Sequence, residues 1–211
     1  MPNLPISSLP ELTAITSNAE FVVEYSGTTY KIKNNVLTPY PTSFGLFSQT
    51  GNSVSVSATT VEGSIIGVGA GTLSVPVSGF SVGDSFLVNM GGLISAKNND
   101  TLTIKLKSGS IILSNSGAQV MTTSVNDVFN LQVTFTIRSI GGAGVAEIVT
   151  LGVFHSTKQS NGNQIGFAFN TVNNTTFDTT SSNTLDITAQ WSSTSADNSI
   201  YSDVFILTKI F

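Results

Sequence analysis

The chain has 211 residues, of which only 9% are charged, whereas an ordinary soluble domain carries about 25%. Eight basic and twelve acidic residues give a formal net charge of −4 with no basic run, so we expect no nucleic-acid partner. The hydrophobic share of 40% excludes a disordered chain, because such chains have too few apolar residues to form a core. Without cysteine, the chain has no disulfide, thiolate metal site or cysteine nucleophile.

The first forty residues predict a small hairpin between a proline-rich lead and a linker. Three prolines within the first ten residues exclude a long helix or a central strand there. Segments 21–25 and 28–33 are rich in β-branched and aromatic residues and flank Ser26-Gly27, which predicts a β-hairpin. Two strands are too few to be stable alone, so the hairpin must pack on its own chain or on another one. Two prolines in residues 39–50 indicate a stiff linker.

From residue 44 onward, short strands alternate with turns rich in Gly, Asn, Ser and Asp, which predicts an all-β, antiparallel sandwich. Thr101–Lys107 and Phe129–Arg138 alternate apolar and polar residues, so each predicts a strand that is buried on one face. Residues 146–154 are more continuously apolar and predict a strand covered on both sides. Residues 85–89 predict a strand that precedes a break at Gly91-Gly92.

These patterns divide the chain into an N-terminal arm over residues 1–38, a linker over 39–50 and a β-sandwich over 51–211. Helical periodicity is nearly absent, and the uncharged stretch between Glu62 and Asp84 is interrupted by glycines and a proline. We therefore expect no transmembrane helix.

Candidate catalytic groups are few and scattered. His155 is the only histidine, and no nucleophile-elbow sequence accompanies it, so a packed ring is the simpler interpretation. Asp178 and Asp186 are close in sequence, but one falls in a polar loop and the other on the polar face of a strand, which argues against a glycosidase pair. Residues 98–100 and 197–198 lack the spacing of a calcium loop and indicate turns. We expect no enzymatic activity, no metal and no cofactor.

Aromatic side chains suggest a possible ligand contact. Trp191 and Tyr201 lie on predicted strands and could stack against a host-surface glycan. A lone tryptophan on a strand is more often part of the core or of a subunit interface.

The predicted sheets have few of the features that prevent edge strands of different molecules from pairing. Monomeric β proteins protect edge strands with lysine, proline or bulges, and this chain has few charged residues with which to do so. Burial of edges and flat faces by copies of the same chain would also stabilise a protein that lacks disulfides. We therefore expect a symmetric homo-oligomer.

Both ends of the sequence resemble viral structural proteins. Residues 6–12 (ISSLPEL), 14–16 (AIT) and 21–32 (FVVEYSGTTYKI) look like the N-terminal attachment segment of viral, mainly tailed-phage, fibre and head-decoration proteins, in which an I-S-x-L-P lead precedes a β-hairpin and a linker. Residues 185–191 (LDITAQW) and 204–209 (VFILTK) resemble the last strands of the trimeric jelly-roll heads of such fibres.

The resemblance implies a non-enzymatic, trimeric virion protein on the exterior of a capsid or tail, with a jelly-roll head. The arm would bind the major capsid protein or another virion component. The residues expected to anchor it are Leu4, Ile6, Leu9, Leu12, Phe21, Val23 and Tyr25. One class is a capsid-attached head fibre or decoration protein. Another is a tail fibre that binds host glycans through loops 173–183 or 192–198, and a polysaccharide-degrading sandwich is least favoured because carboxylates are scarce.

Overall fold

Strands form the regular structure of this chain, as its alternating, β-branched sequence predicts. The computed structural model describes residues 45–158 and 162–211, together with the backbone of residues 20–25, 28–33 and 44. The chain divides into two units, Met1–Thr42 and Ser43–Phe211. Among the described residues there is no helix, and hence none of the length and apolarity that a bilayer span requires.

The first unit contains the predicted hairpin, in which β1 (Glu20–Tyr25) pairs antiparallel with β2 (Thr28–Lys33). The described strands of the second unit are β3 (Phe44–Gln49), β4 (Val56–Ser57), β5 (Gly63–Ser64), β6 (Gly69–Gly71), β7 (Ser74–Val75), β8 (Ser85–Ala96), β9 (Thr101–Ser108), β10 (Ile111–Asn115), β11 (Gln119–Val120), β12 (Ser124–Ser139), β13 (Glu147–Thr157), β14 (Gln164–Asn173), β15 (Asn183–Trp191) and β16 (Ser199–Lys209).

The second unit is a β-sandwich of two antiparallel sheets, which confirms the predicted all-β class. The large sheet has the order β14-β13-β12-β8-β16-β3-β6, with β4 beside β16. The small sheet has the order β10-β9-β15-β5, with β11 beside β9 and β7 beside β15. Sequence neighbours frequently lie in different sheets: β8 lies between β12 and β16, and β9 lies between its sequence neighbour β10 and the distant β15.

The core lies between the sheets and follows the predicted alternation. Leu102, Ile104 and Leu106 of β9 are fully buried, and Phe129, Leu131, Val133, Phe135 and Ile137 of β12 face them from the large sheet. Stacked rings add to this core: the ring centroids of Phe129 and Phe154 lie 5.4 Å apart, and those of Phe154 and Phe167 lie 4.8 Å apart. Burial of each such side chain stabilises the fold by about 1.5–3 kcal/mol.

Three local predictions differ from the structure. The Gly91-Gly92 pair does not end a strand, because β8 continues through it to Ala96. Strand β13 is not covered on both sides in the single chain, since Leu151 and Val153 are exposed while their neighbours are buried. Within the predicted linker, Phe44–Gln49 forms β3, which pairs with β16.

The double glycine is explained by a bulge in the neighbouring strand. Between Ser202 and Val204, β16 contains one extra residue, and its backbone presses against β8 at that point. A Cβ atom at Gly92 would lie 2.1 Å from the carbonyl oxygen of Tyr201, so only glycine fits. The buried Ser202 hydroxyl fixes the bulge by donating to the carbonyl of Ile65 at 2.7 Å.

The polypeptide enters and leaves the sandwich at the same end. Phe44, at the start of β3, is the register partner of Lys209, at the end of β16. Lys209 Nζ also lies 2.6 Å from Asp84 Oδ1, just before β8 begins. At the far end of β16, Ser199 pairs with Ser95.

Candidate functional site

Trp191 is a core residue and not a sugar platform. Its side chain is 1% exposed, and its indole N–H donates to the carbonyl of Val56 at 3.1 Å. Neither face of the ring is open to a ligand. The structure therefore supports the core interpretation of Trp191 and removes the glycan contact suggested for it.

Tyr201 lies on the outward face of the large sheet, away from the core that contains Trp191. Its neighbours Ile200 and Ser202 are fully buried, so Tyr201 points outward from the large sheet, where it is half-buried beside Leu93. Trp191 and Tyr201 consequently do not form a joint aromatic site.

Of the residues expected to anchor the arm, the structure describes only the backbone of three. Leu4, Ile6, Leu9 and Leu12 lie outside the described residues. Phe21, Val23 and Tyr25 belong to β1, where their register partners are Ile32, Tyr30 and Thr28. Their side chains lie outside the described part.

The acidic residues weighed for catalysis each take part in a local structural contact. Asp178 caps its own turn, where hydrogen bonds from the hydroxyl and N–H of Thr180 lower its carboxyl pKa. Burial raises the pKa of Asp186, while a 2.6 Å hydrogen bond from Ser64 Oγ opposes that rise. Within residues 45–158 and 162–211, no three acidic or histidine side chains are grouped so as to hold a metal ion.

Asp100 joins the two turns that sequence analysis had compared with calcium loops. Its Oδ2 accepts hydrogen bonds from Ser193 Oγ at 2.5 Å and from Asn198 Nδ2 at 2.7 Å, and these bonds lower its pKa. Asn198 Oδ1 in turn accepts from the backbone N–H of Lys97. The oxygens of this cluster stabilise the turns, as predicted.

The outward face of the small sheet carries a charged network. Glu62 accepts hydrogen bonds from Lys105 Nζ at 2.5 Å, Lys107 Nζ at 2.7 Å and Thr188 Oγ1 at 2.8 Å. Burial would raise the pKa of Glu62, but these hydrogen bonds outweigh it and lower the pKa to about 2. This face therefore has the charged, solvated character of an ordinary protein surface.

The outward face of the large sheet is different, because its charged side chains are confined to the end of the sheet where Arg138, Glu147 and Lys209 lie, and to Asp203 in the bulge of β16. The side chains between them are uncharged. We call this surface the neutral face. Its residues are Ala168, Asn170 and Val172 of β14; Val149, Leu151, Val153 and His155 of β13; Val128, Asn130, Gln132, Thr134 and Thr136 of β12; Leu87, Asn89, Gly91 and Leu93 of β8; and Tyr201, Val204, Ile206 and Thr208 of β16.

Apolar side chains of the neutral face are open to solvent in the single chain. Val128, Leu151 and Val204 are each about half exposed, at 53%, 52% and 51%. A shallow depression of about 400 Å³ lies over β12, β8 and β16, where Gly91 lacks a side chain, and the bulge residue Asp203 is part of its lining. Sequence analysis did not identify this surface, although the apolar run 146–154 was a signal of it.

A second cavity, of about 70 Å³, lies between the sheets at one end of the sandwich. Phe80, Phe86, Phe135 and Phe177 are among its lining residues. The polar groups at its margin are engaged elsewhere: Ser108 Oγ donates to Asn183 Oδ1 at 2.8 Å, and Lys107 binds Glu62. The cavity is an apolar gap in the core with no reactive group free to face a ligand.

Comparison of the chain with family models, with curated proteins and with solved structures finds no match.

Proposed function

We propose that this chain is a non-enzymatic virion structural protein, a capsid-attached head fibre or decoration trimer that projects a β-sandwich from an N-terminal attachment arm. The observation that carries the proposal is the division of the chain into a hairpin-containing unit and a sandwich. A two-stranded hairpin is marginal in water, so a surface that completes it would stabilise it. Such a segment can bind by strand addition or by inserting its apolar residues into a groove.

The route of the chain supports a jelly roll for the head. The polypeptide passes from β3 in the large sheet to β5 in the small sheet, then to β8, and then to β9 and β10. It returns through β12, β13 and β14 in the large sheet before β15 and β16 again occupy different sheets. Alternation of this kind between two antiparallel sheets is typical of jelly-roll domains.

Three copies would make a weak arm sufficient for attachment. Each hairpin has little apolar surface to contribute, but arms linked through one trimer bind at a high effective concentration. The proposal therefore needs no strong contact from any one arm.

The test is incorporation into the particle. Deletion of residues 1–38 is expected to abolish co-purification with virions and to leave the head folded, because the described sandwich begins at Phe44. The near-ultraviolet signal of Trp191, the chain's single tryptophan, reports whether the head core is intact. Wild-type incorporation of the truncated protein would refute the anchoring role of the arm.

The alternative is a tail-associated fibre that recognises host-surface glycans. An open groove of about 590 Å³ favours it, since the groove lies between β10 and β14 and includes the hydroxyls and amides of Ser110, Asn115 and Thr175 in its lining. A Thr175→Phe variant would obstruct this groove, whereas Thr180→Phe places the same ring on an exposed site outside its lining. Glycan-array binding that is lost only in Thr175→Phe would favour the tail fibre over the capsid protein.

A further inference from the structure

We propose that copies of this chain associate through the neutral face of the large sheet. The inference rests on the proposed homo-oligomer and names the surface that forms it: in a trimer, each copy would direct this face toward the threefold axis, where both neighbours cover it. It commits to one occupant, a second copy of the same chain, rather than to a different protein.

The first argument is the contrast between the two outward faces. The small sheet presents the Glu62 network with Lys105 and Lys107, as a solvated surface does. Over the twenty residues of the neutral face no side chain is formally charged, although Asp203 of the β16 bulge borders it. Depletion of charge, together with exposed aliphatic residues, is the pattern of the centre of a protein interface.

The second argument comes from the sequence of β13. A strand that faces solvent on one side alternates apolar and polar residues, yet Val149, Leu151 and Val153 on the outward side of β13 are all apolar. Two of them, Leu151 and Val153, remain exposed in the single chain. The strand thus has the composition of one that is covered on both sides, and a partner would supply the missing cover.

The third argument is the size of the surface. The twenty outward positions, spaced about 4.8 Å between strands and about 6.8 Å along them, cover roughly 650 Å². A stable, specific interface buries about 600–1,000 Å² on each partner. The neutral face is therefore comparable in size with one side of such an interface.

The chemistry of the face favours a second copy over an unlike partner. Two identical faces rich in charge would repel each other, whereas two neutral faces bring few like charges together, namely those of Asp203 in the β16 bulge. Its polar residues, such as Asn130, Gln132 and Thr134, each carry both a donor and an acceptor, so the same residue types can bond to one another across the interface. The depression at Gly91 provides a recess for an aliphatic side chain of the partner.

The test introduces charge into the face of the full-length protein. Val204→Lys and Val153→Lys are expected to weaken self-association at least about tenfold, because each would bury an unpaired ammonium. The matched control is Val120→Lys on β11 of the small sheet, where the valine is 65% exposed. Sedimentation velocity at micromolar concentration measures association. A monomeric wild type, or equal association of all three variants, would overturn the proposal.

A second measurement does not depend on whether the lysine variants fold. Since the chain has no cysteine, Val204→Cys and Val120→Cys each introduce a single thiol by a conservative change. We expect maleimide to label position 204 at least about tenfold more slowly than position 120, because a partner covers it. Equal rates would overturn the proposal. An intact oligomer that fails to enter virions would instead contradict only the proposed function.

Discussion

Glu62 is a carboxylate whose ionisation is controlled by its neighbours. It lies between two lysines of β9, which donate to its two oxygens, and its side chain is 23% exposed. The folded state holds its pKa at about 2, below the ordinary value of 4.5. The folded protein therefore binds this proton more weakly than the unfolded chain does, and the ionised form of Glu62 favours folding.

We predict a stability difference between wild type and Glu62→Gln that depends on pH. Above pH 4.5 the wild type should be more stable by about 1–2 kcal/mol, after allowance for screening by solvent. The difference should shrink as the pH falls from 4.5 through 2, since the wild-type carboxyl then becomes protonated. Urea unfolding of both proteins between pH 2 and 7 measures it.

Glu147→Gln is the matched control for Glu62. Glu147 contacts one cation, Arg138, at 3.4 Å, and the arginine side chain is 58% exposed. An exposed single pair contributes little, so this variant should stay within about 0.5 kcal/mol of wild type. A loss from Glu62→Gln that is equally small at pH 7 would show that the two lysines do not hold Glu62 as described.

Individual residues were the hardest feature to predict from the sequence. Trp191 is compatible with a surface and with a core position, and its burial depends on Val56, which is distant in the sequence. The charged network joins Glu62 to β9 and β15, which no local pattern brings together. Asp178, in contrast, was recognisable as a turn residue because its side chain accepts hydrogen bonds from Thr180, two residues away.

At the level of elements, alternation predicted β9 and β12 because the period of two is a local property of a strand. The same reasoning failed at Gly91-Gly92, since a double glycine reads as a break unless a bulge on the neighbouring strand is known. The alternation pattern also could not show what covers the outward face of β13. An apolar run indicates that both faces are buried, but it does not say whether the chain itself or another molecule buries them.

The two glycines of β8 should respond differently to alanine. A Cβ atom at Gly92 meets the backbone of β16 at 2.1 Å, so Gly92→Ala must displace that strand and should cost about 2–3 kcal/mol. Gly91→Ala meets only the carbonyl oxygen of Phe129, at 3.3 Å, and should cost clearly less. Thermal and urea unfolding compare the variants. Equal losses would contradict the explanation of the double glycine by close backbone approach.

For the whole molecule, association through the neutral face should make thermal stability depend on protein concentration. Because the oligomer dissociates on unfolding, the melting temperature should rise by about 2 °C for each tenfold increase in concentration. Val204→Lys should melt at a lower temperature than wild type at each concentration, because its oligomer is weaker, while Val120→Lys should behave like wild type. Scanning calorimetry over a hundredfold range measures the trend. A flat wild-type response would argue against an oligomer.

The position of β3 beside the end of β16 has a practical consequence for peptide display. A passenger sequence appended after Phe211 would emerge at the end of the sandwich where β3 begins, beside Phe44. The turn formed by residues 193–198 lies at the other extremity, roughly 35 Å away along the eleven residues of β16. An epitope that must lie far from Phe44 therefore belongs in that turn.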